Sequence, residues 1–155
     1  MRKIILFILC SMFLFGCSDN TPELHDTQNN AVKITALKNK WVIVNYWAAW
    51  CGSCIAEIPE LNHFYQHNKD SNVMLYGYNY DQLELTALQN SVSKMKLAFP
   101  IWVEDPSPVW SLGEVTSLPT TFIINPKGEV VRKIVGPSTE EALQTIIHTL
   151  QQQYA

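Results

Sequence analysis

The chain of 155 residues is long enough for one domain with its own core, and 47% apolar against 16% charged residues excludes a disordered polypeptide. A formal charge of −3 and the lack of any basic stripe exclude a nucleic-acid binder that works by neutralising phosphates.

Met1-Arg2-Lys3 is a basic start, and Ile4 to Phe15 is an apolar run of twelve residues with one serine. Such a run is too short to span a bilayer as a stable helix and has the proportions of a secretory signal. It ends Leu14-Phe15-Gly16-Cys17, which resembles a bacterial lipoprotein cleavage box, although Phe15 departs from the short residue usual there. The expectation is a signal peptide over 1–16, a lipid on Cys17 and stable anchoring through several acyl chains. An ordinary signal or an uncleaved anchor, with Cys17 incidental, is the alternative. Cleavage removes Arg2, Lys3 and Cys10 and leaves nine basic against fourteen acidic side chains, a net charge of −5. Ser18 after the lipid-bearing cysteine favours outer-membrane sorting in Gram-negative cells, whereas the aspartate that favours retention comes one place later, at Asp19.

Residues 17–30 are polar and read as a flexible tether, so the domain is expected to occupy 31–155. Ala31 to Lys40 reads as a short edge strand or turn. Trp41 to Trp47 is a near-continuous apolar and β-branched run that suits a central strand buried on both faces. A helix of about fifteen residues follows from Cys51 to near Asn68, with a kink expected at Pro59. Val73 to Tyr80 is a second strand, and Leu83 to Met95 a helix with Leu85, Leu88, Val92 and Met95 on one face. Phe99 to Val103 is a short extended piece, and Val109 to Leu112 forms one helical turn. Thr120–Asn125 and Val130–Val135 form a hairpin across the turn Pro126-Lys127-Gly128-Glu129. Ser138 with Glu141 reads as the capping box of a last helix, whose core face is Leu143, Ile146, Ile147 and Leu150. The order β-α-β-α-β-β-α requires parallel neighbours at the crossovers and antiparallel strands at the end.

The chemistry sits in Trp47-Ala48-Ala49-Trp50-Cys51-Gly52-Ser53-Cys54, where two thiols three residues apart follow a strand and open a helix. That is the layout of a dithiol redox site. Unpaired N–H groups and the dipole at a helix N-terminus favour an anion, which makes Cys51 the better thiolate and nucleophile. Cys54, one turn on, is placed to close the ring. With Cys17 assigned to lipid, Cys51 and Cys54 are the remaining pair, and so short a loop adds little as a staple. A structural disulfide or half a zinc site is the bland alternative, with His25, His63, His67 and His148 as the histidines able to complete it. Glu57 and Glu60 read as surface residues of the first turns, and Trp41, Trp47, Trp102 and Trp110 as core or groove wall.

The motifs Asn45 to Cys54, Ala56-Glu57-Ile58-Pro59-Glu60-Leu61, Phe99-Pro100 and Leu118-Pro119-Thr120-Thr121-Phe122-Ile123-Ile124-Asn125-Pro126-Lys127-Gly128 occur in order over Ile34 to the C-terminus. Together they resemble the membrane-tethered thioredoxin-like disulfide reductases of the TlpA/ResA type. The resemblance implies a single-domain α/β thioredoxin fold, a central mixed sheet flanked by helices. It makes Cys51 the exposed attacking thiol, Cys54 the buried resolving thiol, and Pro119 a cis-proline that turns the Leu118 backbone toward an extended substrate. Trp50, Gly52 and Ser53 would form the active-site wall. Ser53 stands where many relatives have proline, and Asn45 where thioredoxin has a buried aspartate. Relatives of this type carry a glutamate after the second strand, and Asp81 falls near that place; it is either an acid that tunes the thiols or an aspartate that satisfies turn N–H groups. The segment before Trp41 is short, so the family's N-terminal hairpin is expected to be reduced. Implied partners are protein disulfides, with apocytochrome c one of them, and a membrane electron donor of the DsbD/CcdA type. The implied protein is a monomer with no metal and no cofactor beyond its dithiol, facing the periplasm or its equivalent. The opposite direction of transfer, an oxidase or isomerase, and a thiol-based metallochaperone are the rival readings.

Overall fold

The computed structural model describes residues 21–154. The expected signal peptide, Cys17, Ser18 and Asp19 lie outside them.

Strand β3 (Trp41–Trp47) is the axis of the molecule, and all seven of its residues are buried. It pairs in parallel with β4 (Val73–Asn79), from Trp41↔Val73 to Trp47↔Asn79, and antiparallel with β6 (Thr120–Ile124). Strand β5 (Ile101–Trp102) extends the sheet beyond β4, and β7 (Val130–Val135) beyond β6, giving the order β5-β4-β3-β6-β7. Alternation sends Trp41, Ile43 and Trp47 into one core and Val42, Val44 and Tyr46 into the other. The first core is closed by Leu61 and Phe64 of α1 (Gly52–Asn68), Leu88 of α2 (Leu85–Met95) and Leu143, Ile147 and Leu150 of α4 (Glu140–Gln153). The second is closed by Leu24, Leu37 and Leu112, with Val109 and Trp110 of the short α3 (Ser107–Trp110) packed on it. Burial on both faces is why β3 reads as continuous apolar sequence rather than alternation. The mixed sheet and its helices are those expected from the sequence. At Gly77 in β4 a Cβ would lie 2.5 Å from Ile101 Cδ1 and 3.0 Å from the Phe99 ring, so any larger residue there would force these buried side chains to move.

Three local expectations change. Residues 23–30 are not a flexible tether, and the domain begins before residue 31, because Glu23–His25 form β1, which pairs with β2 (Ala31–Lys33) as a three-residue antiparallel hairpin. Leu24 is buried in the second core. The polar residues that look like a tether build the turn: Asp26 accepts from the N–H of Gln28 and Asn30 at 2.8 and 2.9 Å and from Asn30 Nδ2 at 2.8 Å. The hairpin then docks on β5, Thr27 N–H donating to Ile101 O at 3.0 Å and Val103 N–H to His25 O at 2.9 Å. The family's N-terminal hairpin is therefore present in reduced form.

Helix α1 runs as one element with Pro59 inside it, as expected. In α2, Leu85 is exposed rather than on the core face, while Leu88 is buried and Val92 and Met95 pack at its margin. The cap of α4 is Thr139, whose Oγ1 accepts from Ala142 N–H at 3.2 Å, and not Ser138. Ser138 lies one residue earlier because its own N–H is engaged by Glu57 of α1, at 2.9 Å.

Candidate active site

The chain leaves β3 at Trp47 and turns through Ala48-Ala49-Trp50, with Cys51 N–H donating to Ala48 O at 3.2 Å. Cys51 has extended backbone and is the N-cap of α1, where its Sγ accepts from Cys54 N–H at 3.1 Å. The sulfur thus occupies the place of a capping oxygen, at the positive end of a seventeen-residue helix. Cys51 and Cys54 are joined in a disulfide, with their Cα atoms 5.2 Å apart. Cys51 was expected to be exposed; at 6% it is nearly covered in this oxidised form, though more open than Cys54 at 1%. The Ser53 hydroxyl is 3.4 Å from Cys51 Sγ, and Gly52 and Ser53 are both exposed beside it.

Trp50 projects from the site with 68% of its surface exposed. Its indole N–H donates to both carboxylate oxygens of Asp81, each at 3.0 Å. Asp81 therefore sits at the rim holding Trp50, and its backbone N–H donates to Asn79 Oδ1 at 3.1 Å. On the other side, the Leu118–Pro119 bond is cis, as the resemblance implies. Leu118 packs against both cores, including the one that holds the dithiol. Pro119 O accepts from Gly136 N–H at 2.9 Å, and Gly136 adopts φ +99°, a left-handed value that favours glycine. The N–H and C=O of Leu118 make no hydrogen bond among the described residues.

The residue missed in the sequence is Glu57. It lies one turn past Cys54 and is only 2% exposed, not a surface residue. Its Oε1 accepts from Asn45 Nδ2 at 2.7 Å and its Oε2 from Ser138 N–H at 2.9 Å. Asn45 Nδ2 also donates to Thr121 Oγ1 at 3.0 Å, so the buried amide at thioredoxin's aspartate position is tied to a buried acid. Burial pushes the Glu57 carboxyl above its ordinary value, against the two hydrogen bonds, which pull it down. Its i+3 spacing from Cys54 and i−4 spacing from buried Leu61 was the available sign that it faces inward.

The histidines do not gather at the thiols. His67 bonds to Glu140 across the α1–α4 contact, and His25 lies in the N-terminal hairpin beside Glu104. Among the described residues, no three His, Cys, Asp or Glu side chains are grouped to hold a metal ion.

A five-stranded mixed sheet whose central strand breaks into a helix at a paired Cys-x-x-Cys, opposite a cis-proline, defines a thioredoxin-fold thiol–disulfide oxidoreductase. The AhpC/TSA family model matches residues 18–133, and the chain belongs to that family, among its ResA-like members. It is 33% identical to the thiol-disulfide oxidoreductase ResA of Bacillus cereus, covering 92% of this chain and 91% of that protein. Against ResA of Bacillus subtilis the identity is 31%, over 82% and 70% of the two chains. The fold matches the crystal structure of StoA from Bacillus subtilis with a TM-score of 0.68, at 24% identity over 81% of this chain and 94% of StoA. A thioredoxin-family thiol:disulfide interchange protein from Chlorobium tepidum gives 0.70, at 23% identity over 83% and 92%.

Proposed function

We propose that the protein reduces disulfides in exported proteins, as a lipid-anchored monomer facing the extracytoplasmic side of a bacterial membrane. The observation that carries the reading is the Cys51 sulfur at the N-cap of α1, accepting the Cys54 N–H beside exposed Trp50 and the unpaired Leu118 backbone. An extended substrate segment pairs with Leu118 and sets its disulfide in line with Cys51. The Cys51 thiolate attacks one substrate sulfur, and the other leaves as a thiolate and takes a proton. Cys54, deprotonated in turn, attacks the Cys51 sulfur of the mixed disulfide and releases the second substrate thiol. Two electrons pass from the dithiol to the substrate, and Cys51–Cys54 becomes the disulfide seen here. No cofactor beyond the dithiol enters the cycle.

Re-reduction falls to a membrane donor of the DsbD/CcdA type, and apocytochrome c is the substrate class that the resemblance favours. The test is Cys54→Ser in the full chain, in cells. Mixed disulfides between Cys51 and exported proteins are expected to accumulate, and the wild-type pair is expected to be mostly reduced unless the donor is deleted. A pair that stays oxidised whether or not the donor is present reverses the direction of transfer. No trapped partner, together with tight zinc or copper binding by the reduced protein, would replace the enzyme by a metal carrier.

Asp81 is assigned the weaker role of tuning the rim. In reduced protein, Asp81→Asn is expected to move the pH profile of Cys51 alkylation down by about a few tenths of a unit, because an exposed anion only mildly opposes a neighbouring thiolate. An unchanged profile leaves Asp81 as the acceptor for Trp50 and nothing more.

A further inference from the structure

We propose that a groove on the second face of the sheet, beside the dithiol, is a specificity site for a lysine or arginine side chain of the substrate. This rests on the reductase reading above. The groove has a volume of about 390 Å³ and is lined by Tyr46, Tyr78, Tyr80, Asp105 and Glu114 among others. Tyr78 is 5% exposed, and its hydroxyl has no hydrogen-bond partner among the described residues although it lines this space. Burial and the Asp105 charge push that phenol up to about 12, so it stays neutral and keeps its oxygen as an acceptor.

Asp105 is held rigidly. Its Oδ1 accepts from Ser107 N–H at 2.9 Å and from the Tyr46 hydroxyl at 3.3 Å, and its Oδ2 from Ser107 Oγ at 2.8 Å. Glu114 is exposed, and neither carboxylate has an ion-pair partner among the described residues. The nearby cation is Lys133, which is not part of the lining; it donates to the backbone carbonyl of Glu114 at 2.6 Å and lies 5.4 Å from the centre of the Phe122 ring. Two carboxylates against one ammonium leave the groove negative. Tyrosine faces and an unpaired phenol oxygen complete what a cationic side chain binds.

The groove adjoins the reacting sulfurs through two shared elements. Tyr80 and Gln82 line it, and Asp81 between them holds Trp50, the neighbour of Cys51. Leu118 packs on the tyrosine core as well as on the dithiol core. A strand paired with Leu118 therefore passes the groove mouth, and a basic residue a few positions from the substrate cysteine can enter it.

The test uses two disulfide-bonded peptides that differ at one such position, lysine in one and glutamate in the other. Reduced protein is expected to favour the lysine peptide by about tenfold at low salt, the preference shrinking in about 0.5 M salt. Glu114→Gln and Tyr78→Phe should each lower that ratio, and Glu114→Lys should invert it. A ratio near one in the wild type, or one that none of these variants changes, overturns the groove. If neither peptide is reduced, the reductase reading fails. The groove is then judged by titrating oxidised protein with the same peptides carrying serine for cysteine. Tighter binding of the lysine form that Glu114→Gln removes supports it; equal affinity overturns it.

Discussion

Cys51→Ser is expected to reduce protein disulfides at under roughly one-thousandth of the wild-type rate, while folding as well as the reduced parent. The two halves have separate causes. A serine hydroxyl does not ionise near neutral pH and supplies no sulfur for exchange, so the attack on substrate cannot begin. The same oxygen is a good N-cap and can accept the Cys54 N–H that the sulfur accepts now, so the start of α1 keeps its bond. The disulfide closes a separation of only three residues, so its loss removes little from the unfolded ensemble. Insulin reduction measures the first half and thermal unfolding against reduced wild type the second. Substantial turnover by this variant would move the nucleophile away from Cys51.

Glu57→Ala is expected to lower stability by about 2–3 kcal/mol, and Glu57→Gln by less, with a dependence on pH that identifies the carboxyl. Alanine leaves the buried Ser138 N–H without its acceptor and Asn45 Nδ2 with Thr121 alone, and it opens space beside Leu61. Part of that loss is offset because a desolvated carboxyl is also removed. Burial raises the carboxyl's pKa in the folded state above its unfolded value. The stability that this shift confers is fully present below the unfolded pKa and is lost as pH rises through the folded pKa. Wild type therefore weakens over that interval and Glu57→Gln does not, so the gap between them is widest in acid and narrows toward neutral pH. Urea unfolding at a series of pH values measures it. A gap independent of pH would mean that Glu57 titrates alike in the folded and unfolded protein, so that burial does not raise its carboxyl.

The legible parts of the sequence were those where local pattern and burial agree. Trp41–Trp47 announced itself because both faces of β3 are covered, and Cys51-Gly52-Ser53-Cys54 because a strand gives way to a helix there. Pro119 was legible through its neighbours in the Leu118-Pro119-Thr120-Thr121 motif. What escaped depends on contacts between distant segments. Nothing within Glu23-Leu24-His25 specifies a strand; its partners are Val32 and the edge of β5. Ser138 and Thr139 both suit a cap, and the choice falls to Glu57, eighty-one positions earlier. Glu57 itself resembles any exposed helix glutamate until its bond to Asn45 is seen.

The N-terminal hairpin has one more consequence. A sheet ends in backbone groups that look for another chain, and β5, only two residues long, would be such an end. Here its outward carbonyl at Ile101 and the following amide at Val103 are already taken by Thr27 and His25. At the opposite margin, β7 carries Arg132 and Lys133, whose charges repel a like strand from a second copy. Both flanks therefore resist strand-by-strand growth, one because its backbone groups are already paired and the other because of its charge.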